Sequence, residues 1–79
     1  MATVRFFAGA AEAAATDGAA LDATTVGELR AQLTERYGPQ FDRVLALCSL
    51  LVNGTRATDD AVPLTATDTV DVLPPFAGG

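Results

Sequence analysis

Apolar and polar positions alternate with a period of two near both ends of the chain. In TVRFF (3–7), Val4 and Phe6 fall on one face and Arg5 and Phe7 on the other, and the β-branched and aromatic side chains suit a pleated strand. TVDVL (69–73) repeats the alternation and reads as the last strand. Between them the period lengthens. In TTVGELRAQLTERYGP (24–39), Val26, Leu29, Leu33 and Tyr37 line one helical stripe. Thr25 with Glu28 three residues later fits a capping box, Gly38 supplies a C-terminal cap, and Pro39 prevents continuation.

The remaining segments are weaker. AAEAAA (10–15) reads as a short helix, loosely held because alanine buries little area. TDG (16–18) is a turn, and AALDA (19–23) is a poor second strand making a hairpin-like return. FDRVLAL (41–47) adds a helical turn or a short helix. SLLVNGT (49–55) is a strand running into Asn53-Gly54, a strong two-residue hairpin signal, and TDDAVPLTATD (58–68) is loop-like. The order β, α, β, α, β, turn-rich segment, β predicts an α+β domain over 1–73, a sheet packed on one main helix, followed by a tail over 74–79. The two strands strongest in composition, 3–7 and 69–73, are expected to pair in the middle of the sheet.

Composition narrows the function classes. At 79 residues and 49% hydrophobic, the chain supports one core, burying roughly 60% of the surface its unfolded form exposes. Cys48 is the only cysteine, so no internal disulfide forms, and a reducing cytoplasm is the expected location. The alanine-rich N-terminal third is interrupted by Glu12 and Asp17 and does not read as a signal peptide. The apolar run VLALCSLLV (44–52) is about half the ~18 residues a membrane span requires. Net charge is −5 with no basic cluster, which argues against nucleic acid and membrane partners and for a basic groove on another protein.

Candidate chemistry is sparse in the body. The chain holds no histidine and no lysine, so the commonest general base, the commonest zinc ligand and any Schiff-base amine are missing, and no metal site is expected. Cys48 reads as a buried, inert thiol, and Asp59 and Asp60 as solvated loop charges rather than an acid/base pair. Phe6 and Phe7 are adjacent, so a strand sends them to opposite faces. One enters the core, and the other forms an apolar patch for a partner or is covered by a helix or loop.

The tail, LPPFAGG, is chemically specific. Pro74 and Pro75 lack N–H groups and have fixed φ, so they end strand pairing and project the chain outward. Gly78 and Gly79, without Cβ atoms, suit passage through a narrow channel; Ala77 is small, and Phe76 provides an anchor at the channel mouth. From Pro74 the extended tail reaches roughly 20 Å. Adenylation of the Gly79 carboxylate would make an acyl group that sulfide, a thiol or an amine captures. The residues themselves leave three classes open: a sulfur carrier, a protein modifier, and an interaction domain with an inert tail.

VRFFAGAAE, TVGELRAQLTERY, LLVNG and PLTATDTVDVLPPFAGG, in that order over nearly the whole chain, resemble the MoaD/ThiS sulfur carriers, most of all the small subunits of molybdopterin synthase. The resemblance implies a ubiquitin-like β-grasp: a mixed sheet on one main helix, with an extended Gly-Gly tail. It implies a carrier that is not an enzyme on its own and binds no cofactor stably. ATP would be consumed by an E1-like adenylyltransferase acting on Gly79, and a sulfur donor (a sulfurtransferase) would supply the sulfur of a thiocarboxylate. Gly78, Ala77 and Phe76 would then enter the large subunit of molybdopterin synthase, where sulfur passes to cyclic pyranopterin monophosphate on the way to molybdenum cofactor. Partner contacts would fall on Phe7 and Leu73, with Pro74 and Pro75 at the tail root. Relatives commonly carry an arginine before the glutamate of the first helix; Ala11 precedes Glu12 here.

Overall fold

The N-terminal alternation becomes strand β1 (Ala2–Phe6), in which Ala2, Val4 and Phe6 are buried and Thr3 and Arg5 are exposed. The structure, a computed structural model, describes residues 1–75; Phe76, Ala77, Gly78 and Gly79 lie outside the described residues. After β1 come α1 (Gly9–Ala14), β2 (Gly18–Leu21), α2 (Val26–Tyr37), α3 (Pro39–Leu45), β3 (Ser49–Val52), β4 (Thr55–Ala57) and β5 (Thr69–Leu73). They build a five-stranded sheet in the order β2-β1-β5-β3-β4. The expected central pairing is present: β1 and β5 run parallel, Thr3 opposite Thr69 through Phe6 opposite Val72, and the other pairings are antiparallel. This is the mixed sheet of a β-grasp.

One face of the sheet carries the core. Val4, Phe6, Leu50, Val70 and Val72 from the strands pack with Val26, Leu29 and Leu33 of α2 and Phe41 and Leu45 of α3. Phe6, Tyr37 and Phe41 form an aromatic cluster with centroids 5.1–5.5 Å apart, joining the central strand to both helices. Tyr37 ends the stripe that Val26, Leu29 and Leu33 begin, as the spacing requires.

The start of α2 satisfies the backbone donors that a helix leaves unpaired. Thr25 Oγ1 accepts from Glu28 N at 3.1 Å, the first half of the capping box. The second half differs from expectation. Glu28 Oε2 accepts from Thr24 Oγ1 at 3.0 Å, while Val26 N and Gly27 N donate to Val62 O and Asp60 O of the loop after β4. Gly27 permits this approach, since a Cβ there would lie 2.9 Å from Asp60 Cβ. The turn-rich segment is therefore pinned across the helix start, and its Leu64 is buried.

Three boundaries depart from the sequence reading. β1 ends at Phe6, because Ala8 turns to φ 49° and takes the chain out of the ladder just after Phe7 N donates to Val72 O. Pro39 does not merely stop α2. Gly38, at φ 89°, breaks the path, and Pro39 opens α3 at a first-turn position where a missing N–H is harmless. The Asn53-Gly54 turn, with both φ positive, leads into a short further strand, β4, whose Arg56 and Ala57 fall between the segments assigned from the sequence.

Candidate functional site

Helices cover one face of the sheet, and the other face carries the outward positions of the strands. Phe6 enters the core and Phe7 emerges, 37% exposed, at the C-terminal end of β1. Because β1 and β5 are parallel neighbours, Leu73 ends its strand beside Phe7, and the chain leaves the sheet there through half-buried Pro74 and exposed Pro75. The sequence-predicted Phe7, Leu73, Pro74 and Pro75 thus meet at one end of the two central strands. The tail positions Phe76, Ala77, Gly78 and Gly79 lie outside the described residues.

One residue before this end, the pairings line up a row across the sheet. Arg5 stands opposite Asp71, Asp71 opposite Leu51, and Leu51 opposite Arg56. Arg5 grips Asp71 with two hydrogen bonds, Nε to Oδ1 at 2.6 Å and Nη2 to Oδ2 at 2.8 Å. The hydrogen bonding, and then the charge of Asp71, raise the Arg5 pKa further above its ordinary value. The same guanidinium lies 5.7 Å from the Phe7 ring centroid, a cation–π contact linking the ion pair to the apolar end of the face. Leu47, 69% exposed, follows α3 two residues before Ser49, which pairs with Leu73; it therefore flanks the tail root.

Leu47, Leu51 and Arg56 were not singled out from the sequence. Alternation within SLLV placed Leu51 opposite Leu50 in facing, and counting back through the Asn53-Gly54 turn would have put Arg56 beside it. Leu47 carried no such signal, because it sat inside a segment read as helical to residue 47, whereas α3 ends at Leu45.

Other candidates hold no reactive arrangement. Cys48 is half-buried rather than fully buried; its Sγ–H donates to Val44 O at 3.1 Å, and burial raises the thiol pKa against a weaker opposing effect of Arg30. Raised pKa means less thiolate, the form that reacts. Asp59 accepts from Ala61 N at 2.8 Å and Asp60 pairs with Arg30 at 3.3 Å, so both shape the loop. Among the described residues no group of three or more His, Cys, Asp or Glu side chains is placed to hold a metal ion, and no helix is long and apolar enough to cross a membrane.

A model of the ThiS family matches residues 4–79. No curated protein matches the chain. Among solved structures, small archaeal modifier protein 1 from Methanosarcina acetivorans is 25% identical with a TM-score of 0.84, the match covering 99% of this chain and 95% of that one. The complex of subunits 1 and 2 of molybdopterin-converting factor from Helicobacter pylori contains a chain 28% identical, TM-score 0.77, with coverage of 99% and 97%. Urm1 from Trypanosoma brucei, 23% identical with a TM-score of 0.75 and coverage of 99% and 94%, has the same fold.

Proposed function

The chain belongs to the ThiS family, and from that premise we propose that it is the small, sulfur-carrying subunit of a molybdopterin synthase. An E1-like adenylyltransferase joins the Gly79 carboxylate to the α-phosphate of ATP, releasing pyrophosphate. Sulfide attacks the acyl carbon, AMP leaves, and a thiocarboxylate results; where the sulfur comes instead as a donor's persulfide, its terminal sulfur attacks, AMP leaves, and a thiol reductant then cleaves the acyl disulfide to the thiocarboxylate. That sulfur passes, within the large synthase subunit, to cyclic pyranopterin monophosphate. The chain supplies the carrier and the docking surface and performs none of these steps alone.

The observation that carries this reading is the origin of the tail. β5 is a central strand, fixed on both sides by β1 and β3, and it delivers Pro74 beside Phe7 and Leu73. A tail rooted there can enter a partner's channel while the apolar end of the sheet rests on that partner's surface. The likeness to a chain of the two-subunit converting factor of Helicobacter pylori supports the synthase assignment.

Incubation with ATP, the adenylyltransferase and a sulfur donor should raise the intact mass by the exchange of one oxygen for sulfur, localised to Gly79. An unchanged mass, with an adenylyltransferase shown competent on another carrier, would refute the reading. A second reading, a modifier joined to amines through Gly79, is favoured by the likeness to small archaeal modifier protein 1. It predicts higher-mass conjugates in cells that vanish when Gly78 and Gly79 are deleted. A carrier for another acceptor, in thiazole or cysteine synthesis, would charge equally well but fail to convert the pterin precursor with the large subunit.

A further inference from the structure

Four segments of the chain converge on one pair of side chains, Asn53 and Asp68. Asn53, at φ 51° in the turn between β3 and β4, uses its amide in two directions: Nδ2 donates to Asp68 Oδ1 at 2.9 Å, and Oδ1 accepts from Thr69 N at 2.9 Å. Its backbone N donates to Thr69 O at 2.8 Å. Asp68 in turn accepts from Thr65 N through Oδ2 at 2.8 Å and from Thr3 N through its carbonyl at 3.0 Å. The turn, the loop before β5, and the first residues of β5 and β1 are thus tied together through one amide–carboxylate contact. The Thr65 N–H, and then the Asn53 amide, keep the Asp68 carboxyl below its ordinary pKa, so the contact is made with the charged form.

The residue after Asn53 gives this amide a second chemistry. Gly54 has no Cβ to crowd its nitrogen, and that N–H makes no hydrogen bond among the described residues. Both residues are exposed. Attack of Gly54 N on Asn53 Cγ forms a cyclic imide: a new C–N bond forms, the bond from Cγ to Nδ2 breaks, and ammonia leaves with the Gly54 proton. Water then opens the ring at either carbonyl, giving aspartate or isoaspartate. In the folded chain Nδ2 and Oδ1 are both engaged at the start of β5, and bringing Cγ onto Gly54 N requires those bonds to break.

We propose that Asn53 is a deamidation site that the fold keeps closed through β5, and that it reacts when the start of β5 comes away. The product does not close again. Aspartate at this position has no donor for Asp68 and sets a second carboxylate against it, and isoaspartate also adds a methylene to the backbone of a two-residue turn. Deamidation therefore converts a transient opening into a lasting weakening at the start of β5. The step needs only water and this chain, so it stands apart from the tail chemistry.

The test is peptide mapping of the full-length chain, held in warm, mildly alkaline buffer with and without guanidinium chloride, for a mass gain equal to exchanging NH for O at Asn53. The unfolded chain should convert at least about tenfold faster than the folded one, since only open molecules react. Asp68→Ala should speed conversion of the folded chain about three- to tenfold, whereas Phe41→Leu, which destabilises the fold from the helical side, should leave it within about twofold. Asn53→Asp should lower Tm by about 4–8 °C at pH 7, with a smaller loss at pH 3, where the paired carboxylates take up protons. Equal rates in the folded and unfolded chain, or equal acceleration by Asp68→Ala and Phe41→Leu, would overturn the protection by β5. An unfolded chain that keeps its amide would remove the site. Should Asp68→Ala fail to fold, the ratio of unfolded to folded rates in the wild type decides alone.

Discussion

Phe41→Ala is the perturbation that asks most of the fold. Phe41 is fully buried and its ring sits 5.5 Å from Phe6 and 5.1 Å from Tyr37, so it ties α3 to the central strand β1 and to the end of α2. Truncating a buried phenylalanine costs about 3–5 kcal/mol, through lost transfer energy and the cavity left behind. Two aromatic neighbours place this residue in the upper half of that range, at about 4 kcal/mol. At ~0.05–0.15 kcal/mol per residue, a chain of 79 residues has about 4–12 kcal/mol in total. The variant should therefore lose a third or more of its stability, and at the lower bound about half of the molecules are unfolded at 25 °C. Phe41→Leu refills most of the space and should lose about 1–2 kcal/mol, lowering Tm by roughly 5–15 °C. Urea unfolding of both variants, with m unchanged in the leucine variant, measures this directly. A loss below about 1.5 kcal/mol for Phe41→Ala would show that α3 is not anchored through this ring. Sulfur loading of folded Phe41→Leu should equal wild type, since the substitution lies on the helical side of the sheet.

The tail predicts the opposite pattern: deleting Gly79 should abolish loading while shifting Tm by less than about 2 °C, and Gly78→Val should block loading by filling the channel, which normal adenylation would contradict. Cys48→Ala should leave loading intact, and Cys48 in the wild type should react with iodoacetamide at pH 8 more slowly than a free cysteine, because burial raises its pKa; faster alkylation, or loss of loading in the variant, would make the thiol a participant. Asp68 accepts from Thr65 N and from Asn53 Nδ2, and these bonds hold its pKa below the ordinary 3.8. Folding thus favours the charged form, so its contribution is present above pH 3.8 and is lost as pH falls through the lower folded pKa. Asp68→Asn should make stability fall less steeply on acidification in denaturant titrations from pH 7 to 3; unchanged slopes would remove Asp68 from the acid response.

The sequence revealed most where two constraints coincided. Pairing of 3–7 with 69–73 was legible because both segments alternate and both combine β-branched residues with a core-facing set. The main helix was legible from its stripe and from Thr25. Gly38-Pro39 was ambiguous, since the same dipeptide stops one helix and starts another, and only the burial of Phe41 and Leu45 shows why α3 forms. β4 was hidden because it is only three residues long and Arg56 and Ala57 carry little strand preference of their own; the turn before them and the pairing with β3 impose the conformation. At the site, adjacency showed that Phe6 and Phe7 part company, but which ring enters the core depends on long-range packing, that of Phe6 on Tyr37 and Phe41. The row from Arg5 to Arg56 was not legible at all without register, because it joins four strands drawn from both ends of the chain.

The parallel pairing of β1 with β5 also orders events in time. Thr3 and Thr69 are 66 positions apart, 69 minus 3, and the contact between them closes nearly the entire chain into one loop. Loops of that length close late, after the local helices and the β3–β4 hairpin have formed, because the closure entropy must be met before the contact returns anything. β5 is also the most C-terminal strand of the described residues, so a ribosome releases it after the other four. Until it slots between β1 and β3, the segment that leads on to Gly79 has no seat, and the apolar surface around Phe7 has no second half. On the carrier reading proposed above, chains caught part-way through synthesis or partly unfolded would be poor substrates for activation, because the root of the tail is set only once β5 is in place.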